Sequence, residues 1–314
     1  AKNFVKCPKF RRDHLDVYAV GTNLREARGD NQWNALEGLD LDDYDDDGWD
    51  GWDGGGDGAS FAYDEGGPVI VQLAGHDPEK VSVAALKVLE MAGGAGDRPD
   101  GTTNPHLAGF DLNLGCPQGI ARKGRYGAHL MEESVDTVCS VLRAMRRSLP
   151  PTVGVSAKVR LPDLSASPLR FVDGAAETEL KDRVARMVDA GVDMIAVHGR
   201  TLRENKTRVR GCDWDMIRIA ATAAGECSGD ANFPVIANGG IEHPSDVARC
   251  LEITGAKAVM SSEALLENPG LFQRDAPDEA SMSHREVFER QMSYATRYLS
   301  LAARFPPLPR PPRP

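Results

Sequence analysis

The chain has 314 residues, a net charge of −10, 41% hydrophobic residues and 27% charged residues, the balance of a globular enzyme. Its length suits one α/β domain of roughly 250 residues with additions, and no apolar run approaches the ~20 residues of a membrane span. Its six cysteines are scattered without a CxxC pair, which argues against a disulfide scaffold or zinc ribbon and for a reducing compartment.

The elements in chain order begin with an acidic segment. Thirteen acidic residues and no Lys or Arg fall between Asp30 and Glu65, and without them the chain carries a net charge of +3. The acidic total therefore does not exclude RNA as a partner. The segment reads as a solvated surface insertion over residues 30–66. Asp43 to Gly48 matches the first half of an EF-hand loop, but Gly54 stands where a bidentate Glu is needed and no helical pattern flanks it, so no metal site is assigned.

Six short apolar runs follow: Pro68–Gln72, Gly109–Leu114, Thr152–Val159, Asp193–Val197, Pro234–Ala237 and Lys257–Met260. Their near-continuous apolar character predicts strands covered on both faces. Helical periods lie between them. Val81, Ala84, Ala85, Val88 and Leu89 form one apolar stripe, and Val135, Val138, Cys139 and Leu142 a second. Leu180, Val184, Met187 and Val188 form a third, and Val247, Cys250, Leu251 and Thr254 a fourth, entered at Pro244 and left at Gly255. Strand and helix alternate, which predicts a parallel sheet. Six strands fit an open doubly wound fold or a (β/α)8 barrel short of two strands. A last helical stripe, Phe288, Met292, Ala295, Leu299 and Ala302, precedes a Pro-rich tail at 306–314 that is expected to be disordered polyproline II.

In parallel α/β folds ligands meet the carboxyl ends of the strands. Those ends carry Gln72, then Asn113 to Gln118 with Lys123 and Arg125 beyond, then Lys158 and Arg160, His198 to Thr201, Asn238-Gly239-Gly240, and Ser261-Ser262. A lone strand-end lysine is more often solvated, and a His-Gly pair is often a turn. Together on one rim they predict a site for a phosphate-bearing aromatic cofactor, which flavin mononucleotide (FMN) fits. Cys116 lies in a Gly-Cys-Pro loop. Buried cysteines usually serve as small hydrophobes, but a thiol in such a loop can act as a general acid while a hydride arrives from a flavin.

Asn113-Leu114-Gly115-Cys116-Pro117-Gln118, with Gly124 and Tyr126-Gly127-Ala128, resembles the signature of the tRNA-dihydrouridine synthases. The likeness is nearest to the eukaryotic type that acts at positions 16 and 17. Val197 to Thr201, Gly211, Asp213-Trp214, Gln72, Ala237 to Gly239, Met260-Ser261 and Asn268-Pro269 resemble that family too. The resemblance implies a TIM barrel holding FMN at 1–275, the start of a helical tRNA-binding domain at 276–305, and NADPH-dependent reduction of uridine in the D-loop of tRNA. In that scheme FMN passes a hydride to C6 of the uracil and Cys116 protonates C5.

Carried over by motif, Gln72, Lys158, His198, Asn238 and Gly239 would contact FMN. Gly240 and Ser262 would lie near its phosphate, and Asn113 beside flavin and substrate. Lys123, Arg125 and Arg200 are candidates for the RNA. The resemblance further implies two strands ahead of the point matched by Ala1 to Phe4, so a gaping, N-terminally incomplete barrel is expected, with edges at Pro68–Gln72 and Lys257–Met260. A monomer in the cytoplasm, with the nucleus as the alternative, is expected. Two rival readings are a dihydroorotate dehydrogenase-like barrel acting on a free pyrimidine and a degenerate, non-catalytic barrel.

Overall fold

The structure is a computed structural model that describes residues 69–91, 107–205, 211–273, 277 and 281–304. The acidic insertion with its EF-hand-like run, and the Pro-rich tail, lie outside the described residues. Six parallel strands make one sheet in sequential order: β1 (Val69–Leu73), β2 (Leu107–Leu114), β3 (Gly154–Leu161), β4 (Met194–Thr201), β5 (Val235–Asn238) and β6 (Ala258–Met260). Between them run α1 (Pro78–Met91), then α2 (Gly119–Lys123), α3 (Ala128–Glu133) and α4 (Val135–Ser148). Next come α5 (Ala175–Asp189), α6 (Trp214–Ser228), α7 (Pro244–Thr254) and α8 (Glu263–Glu267), and α9 (His284–Arg304) follows the sheet.

The sheet curls as part of a barrel wall. Among the described residues it does not close, because β1 pairs only with β2 and β6 only with β5. The six parallel strands and the open edges at β1 and β6 are those expected from the sequence, and a closed barrel is not seen among the described residues.

Strand pleat sorts the side chains. Val71, Phe110, Leu112, Leu114, Val155, Ala157, Val159, Ile195 and Val197 are buried on one face. They join a single apolar cluster with Val81 and Val88 of α1, Leu142 and Met145 of α4, Leu180 and Met187 of α5, and Ile217 and Ala224 of α6. Each such large side chain contributes about 1.5–3 kcal/mol on burial. The opposite face differs from the expectation of apolar cover on both sides. Ile70 is 45% exposed there, and towards the carboxyl ends the face turns polar.

Local chemistry fixes the ends of the helices. Ser134 accepts the Thr137 N–H at 3.2 Å to start α4, and Asp213 accepts the Met216 N–H at 2.9 Å to start α6. The third-turn stripe of α5 is locked by Arg183, which is 4% exposed and donates to Glu132 at 2.8 and 3.0 Å and to Glu179 at 2.7 Å. Glu132 also accepts the Asp163 N–H at 3.3 Å, which ties the segment after β3 to α3.

Helix α9 follows the predicted period, yet Phe288, Met292 and Leu299 are exposed. Its ties to the sheet domain include Gln291 donating to the Glu267 carbonyl at 2.8 Å and Tyr294 bonding Asn268 at 3.2 Å.

Candidate active site

Parallel register assembles the site. Gln72 pairs with Asp111, Asp111 with Ser156, and Asn113 with Lys158. Arg160 pairs with His198, and His198 with Asn238. Residues in register, and residues two apart on one strand, share a face. Seven polar side chains from five strands thus line the carboxyl end of one sheet face: Gln72, Asp111, Asn113, Lys158, Arg160, His198 and Asn238.

The loop after β2 is held from three directions. Asn113 Oδ1 accepts the N–H groups of Gly115 and Cys116, both at 3.1 Å. Arg160 Nε donates to the Gly115 carbonyl at 2.8 Å, and its Nη1 to the Thr201 carbonyl at 3.0 Å. The Ala128 N–H donates to the Cys116 carbonyl at 3.1 Å. A Cβ at Gly127 would lie 2.7 Å from that carbonyl oxygen, and φ there is +67°, so only glycine lets α3 approach the loop this closely. Cys116 itself is a free, partly buried thiol.

The neighbouring strands bring charge. Burial pushes the Lys158 ammonium below its usual value, the Arg160 charge pushes it further, and Asp111 partly offsets both. Burial and then Arg200 likewise lower Arg160, with Cys116 and Glu204 acting the other way. Burial, followed by Arg160, Lys158 and Arg200, pushes His198 down to about 3. His198 is therefore neutral at physiological pH. Arg200 Nη1 lies 3.3 Å from its Nε2. A guanidinium only donates, so Nε2 is the acceptor and Nδ1 carries the proton.

The turn after β5 is similarly fixed. Trp214 Nε1 donates to the Gly239 carbonyl at 3.1 Å, and Asn238 Nδ2 donates to the Met260 carbonyl of β6 at 2.9 Å. Gly239 has φ +97°, and a Cβ on it would meet His198 Cδ2 at 2.8 Å. Gly240 continues with φ +72°. A cavity of about 480 Å³ opens beyond this turn, lined by Trp214, Glu242, His243 and Arg249, and does not include Cys116, Lys158 or His198.

Three other predicted residues lie at the margin. Ser262 is the exposed residue before α8, and its hydroxyl makes no capping bond. Lys123 ends α2 and is exposed. Arg125 is exposed too, with φ +50°, and pairs with Glu133 at 3.2 Å. The sequence reading left Asp111, Ser156, Cys212 and Trp214 without a site role, and it placed Arg160 on the rim without a task. The i, i+2 spacing from Asn113 to Asp111 and from Lys158 to Ser156 and Arg160 was the available signal.

Chemically, the arrangement is a thiol on a rigid turn beside three cations that outnumber the nearby carboxylates. The match to known proteins is decisive for family: the model of the dihydrouridine synthase (Dus) family matches residues 59–304. The chain belongs to the Dus family. It is similar to the tRNA-dihydrouridine(16/17) synthase [NAD(P)(+)] of Saccharomyces cerevisiae, with 36% identity over 265 residues, 82% of this chain and 46% of that protein. It is 34% identical to the rat tRNA-dihydrouridine(16/17) synthase [NAD(P)(+)]-like protein over 211 residues, 67% of this chain and 40% of the relative. With the tRNA-dihydrouridine(16) synthase of Shigella flexneri it shares 30% identity over 226 residues, 72% of this chain and 61% of that one. The chain thus spans less than half the length of the yeast and rat Dus proteins.

Proposed function

We propose that this Dus chain serves the reduction of uridine to 5,6-dihydrouridine in the D-loop of tRNA, at positions 16 and 17, with NADPH as reductant and FMN as the bound cofactor. The donor set fits FMN. Lys158, Arg160 and Arg200 concentrate positive charge around a neutral His198, and Lys158 and Arg160 are lowered first by burial and then by a neighbouring cation. An anionic, phosphate-bearing group offsets that charge. Gln72, Lys158, His198, Asn238 and Gly239 would hold the ring system, and Gly240 and Ser262 the phosphate. When bound, FMN supplies the hydride. The six strands are proposed as the greater part of an eight-stranded barrel wall.

The chain's own residues handle the proton and the RNA. The Cys116 thiol gives its proton to C5 of the uracil and is left as a thiolate. Asn113 holds the turn through the Cys116 N–H, and Arg160, on the adjacent Gly115 carbonyl, faces the negative charge that develops on sulfur. Arg160 carries a Coulombic interaction with Cys116 in the structure. A uracil inside a stacked helix does not reach this recessed turn, so the base must be turned out. Lys123 and Arg125 are proposed to meet RNA phosphates, and Arg200, beside His198, to meet either the flavin or the RNA.

The observation that supports this reading best is the pair of 3.1 Å hydrogen bonds that Gly115 and Cys116 N–H donate to Asn113 Oδ1, on the same sheet face as Lys158 and Arg160. Dihydrouridine mapping tests it in tRNA from cells lacking the gene, restored with the wild-type or the Cys116→Ala gene. Positions 16 and 17 are expected to lose dihydrouridine and to regain it only with the wild type. No loss at any position overturns the reading, and loss confined to other positions overturns the choice of site.

A further inference from the structure

Asp111 sits two residues before Asn113 on β2 and is 7% exposed. Its Oδ1 accepts the Ser156 hydroxyl at 2.8 Å, and its Oδ2 accepts Gln72 Nε2 at 2.7 Å. Gln72 Oε1 in turn accepts Asn113 Nδ2 at 2.7 Å. Asn113 Oδ1 then accepts the N–H groups of Gly115 and Cys116. One unbroken chain of hydrogen bonds thus runs from a buried carboxylate to the backbone of the thiol-bearing turn.

We propose that Asp111 is a positioning residue for that turn: its carboxylate sets the sense of the Gln72 amide, then of the Asn113 amide, and so keeps an acceptor beneath the Cys116 N–H. A side-chain amide has two senses of nearly equal shape, with its oxygen and NH2 interchanged. Both Asp111 oxygens act as acceptors here. Gln72 must therefore turn its NH2 to Asp111, which leaves its oxygen for Asn113. Asn113 must then turn its NH2 to Gln72, which leaves its oxygen for the loop. Reversing Gln72 sets its oxygen against the Asp111 carboxylate and its NH2 against that of Asn113, and reversing Asn113 sets its NH2 against the loop N–H groups, so that the turn loses its clamp. The structural part rests on the hydrogen-bond chain alone; the catalytic part rests on Cys116 being the proton donor proposed above.

Three variants of the full chain separate the possibilities. Asp111→Leu keeps the shape but accepts nothing. Asp111→Asn preserves the chain, because its oxygen takes the Gln72 NH2 while its own NH2 donates to the Ser156 hydroxyl, which rotates to accept. Gln72→Met breaks the chain from the exposed edge strand and serves if Asp111→Leu does not fold. Amide hydrogen exchange at Gly115 and Cys116 is expected to rise about tenfold in Asp111→Leu and Gln72→Met, and to stay at the wild-type rate in Asp111→Asn. Exchange in α4 stays unchanged in all three. In tRNA reduction, kcat of Asp111→Leu is expected to fall about tenfold with KM for tRNA unchanged, and Asp111→Asn to restore it. Wild-type exchange at Gly115 and Cys116 in folded Gln72→Met overturns the proposal, as does exchange in Asp111→Asn as fast as in Asp111→Leu. A wild-type chain that reduces no tRNA overturns the functional reading alone, because the exchange measurement does not pass through it.

Discussion

The two halves of the site rim are built on different physics. On β1 and β2, Gln72, Asp111 and Asn113 form a hydrogen-bonded series that ends on the Cys116 turn. On β3 and β4, Lys158, Arg160 and Arg200 crowd like charges around the neutral ring of His198. The first half is hydrogen-bonded within the protein and fixes geometry. The second half carries surplus charge and favours an anion. Lys158 and Arg160 are lowered chiefly by burial, and a desolvated charge carries a folding cost that a bound anion offsets. The contrast therefore separates positioning from binding, and mutations in the two halves should fail in different ways.

The largest effect is expected at the end of the amide half. Cys116→Ala should lower uridine reduction by about 10²–10⁴-fold, the range for loss of a general acid, while FMN affinity and the thermal midpoint stay at wild-type values. Single-turnover reduction of unmodified tRNA by the flavin-loaded full-length protein checks this. Turnover retained in that assay removes Cys116 from the chemistry. The cation half should behave in the opposite way. Lys158→Met should weaken FMN binding by about 10–100-fold by removing a charge-assisted contact, and leave the cofactor-free protein no less stable, because a desolvated ammonium is gone. Flavin titration and thermal unfolding of the same preparation read both. Unchanged FMN affinity would show that the charge cluster serves something other than the cofactor.

Legibility in the sequence follows the same division. The apolar stripes of α1, α4, α5 and α7 were readable because large side chains recur at helical spacing. Helix α6 was not, because its buried face is largely small: Ala220, Ala223 and Ala224 beside Ile217. The cap at Asp213 was the signal that remained. Strand ends were read early by one to four residues: β4 runs to Thr201 and β3 to Leu161, since polar His198, Arg200 and Arg160 break an apolar run without breaking a strand. The same cause hid Asp111. A carboxylate inside the run Phe110 to Leu114 looks like an interruption until the pleat shows that it faces Gln72 and Ser156 while Phe110 and Leu112 face the helices. Cys116, Lys158, His198 and the Gly239-Gly240 turn were legible because strand-end position and residue type point the same way.

A third test bears on the backbone that joins the halves of the charge cluster to β5. Gly239→Ala forces a side chain into φ +97° and within 2.8 Å of His198. The strain should cost about 1–3 kcal/mol, and the displaced imidazole should also weaken FMN binding. Urea unfolding at pH 7 measures the first effect. Destabilisation no greater than in Gly255→Ala, a helix-end glycine with open space around it, would show that the His198 contact contributes nothing.

The smallest effect concerns pH and reads the burial of His198 together with the charges around it. His198 titrates near 3 in the folded chain, against an ordinary value of 6.5. Between those values the unfolded chain binds a proton that the folded chain excludes, so folding stability must fall as pH drops through that window. The loss from this one residue between pH 7 and pH 5 is about 2 kcal/mol at most. His198→Gln removes the titrating group and keeps a polar side chain of similar reach. The variant should therefore lose less stability than the wild type on going from pH 7 to pH 5, whatever the other ionisable groups do, because those are common to both proteins. Urea midpoints at the two pH values supply the comparison. Equal losses would mean that neither burial nor the charges of Arg160, Lys158 and Arg200 hold His198 neutral in the folded chain.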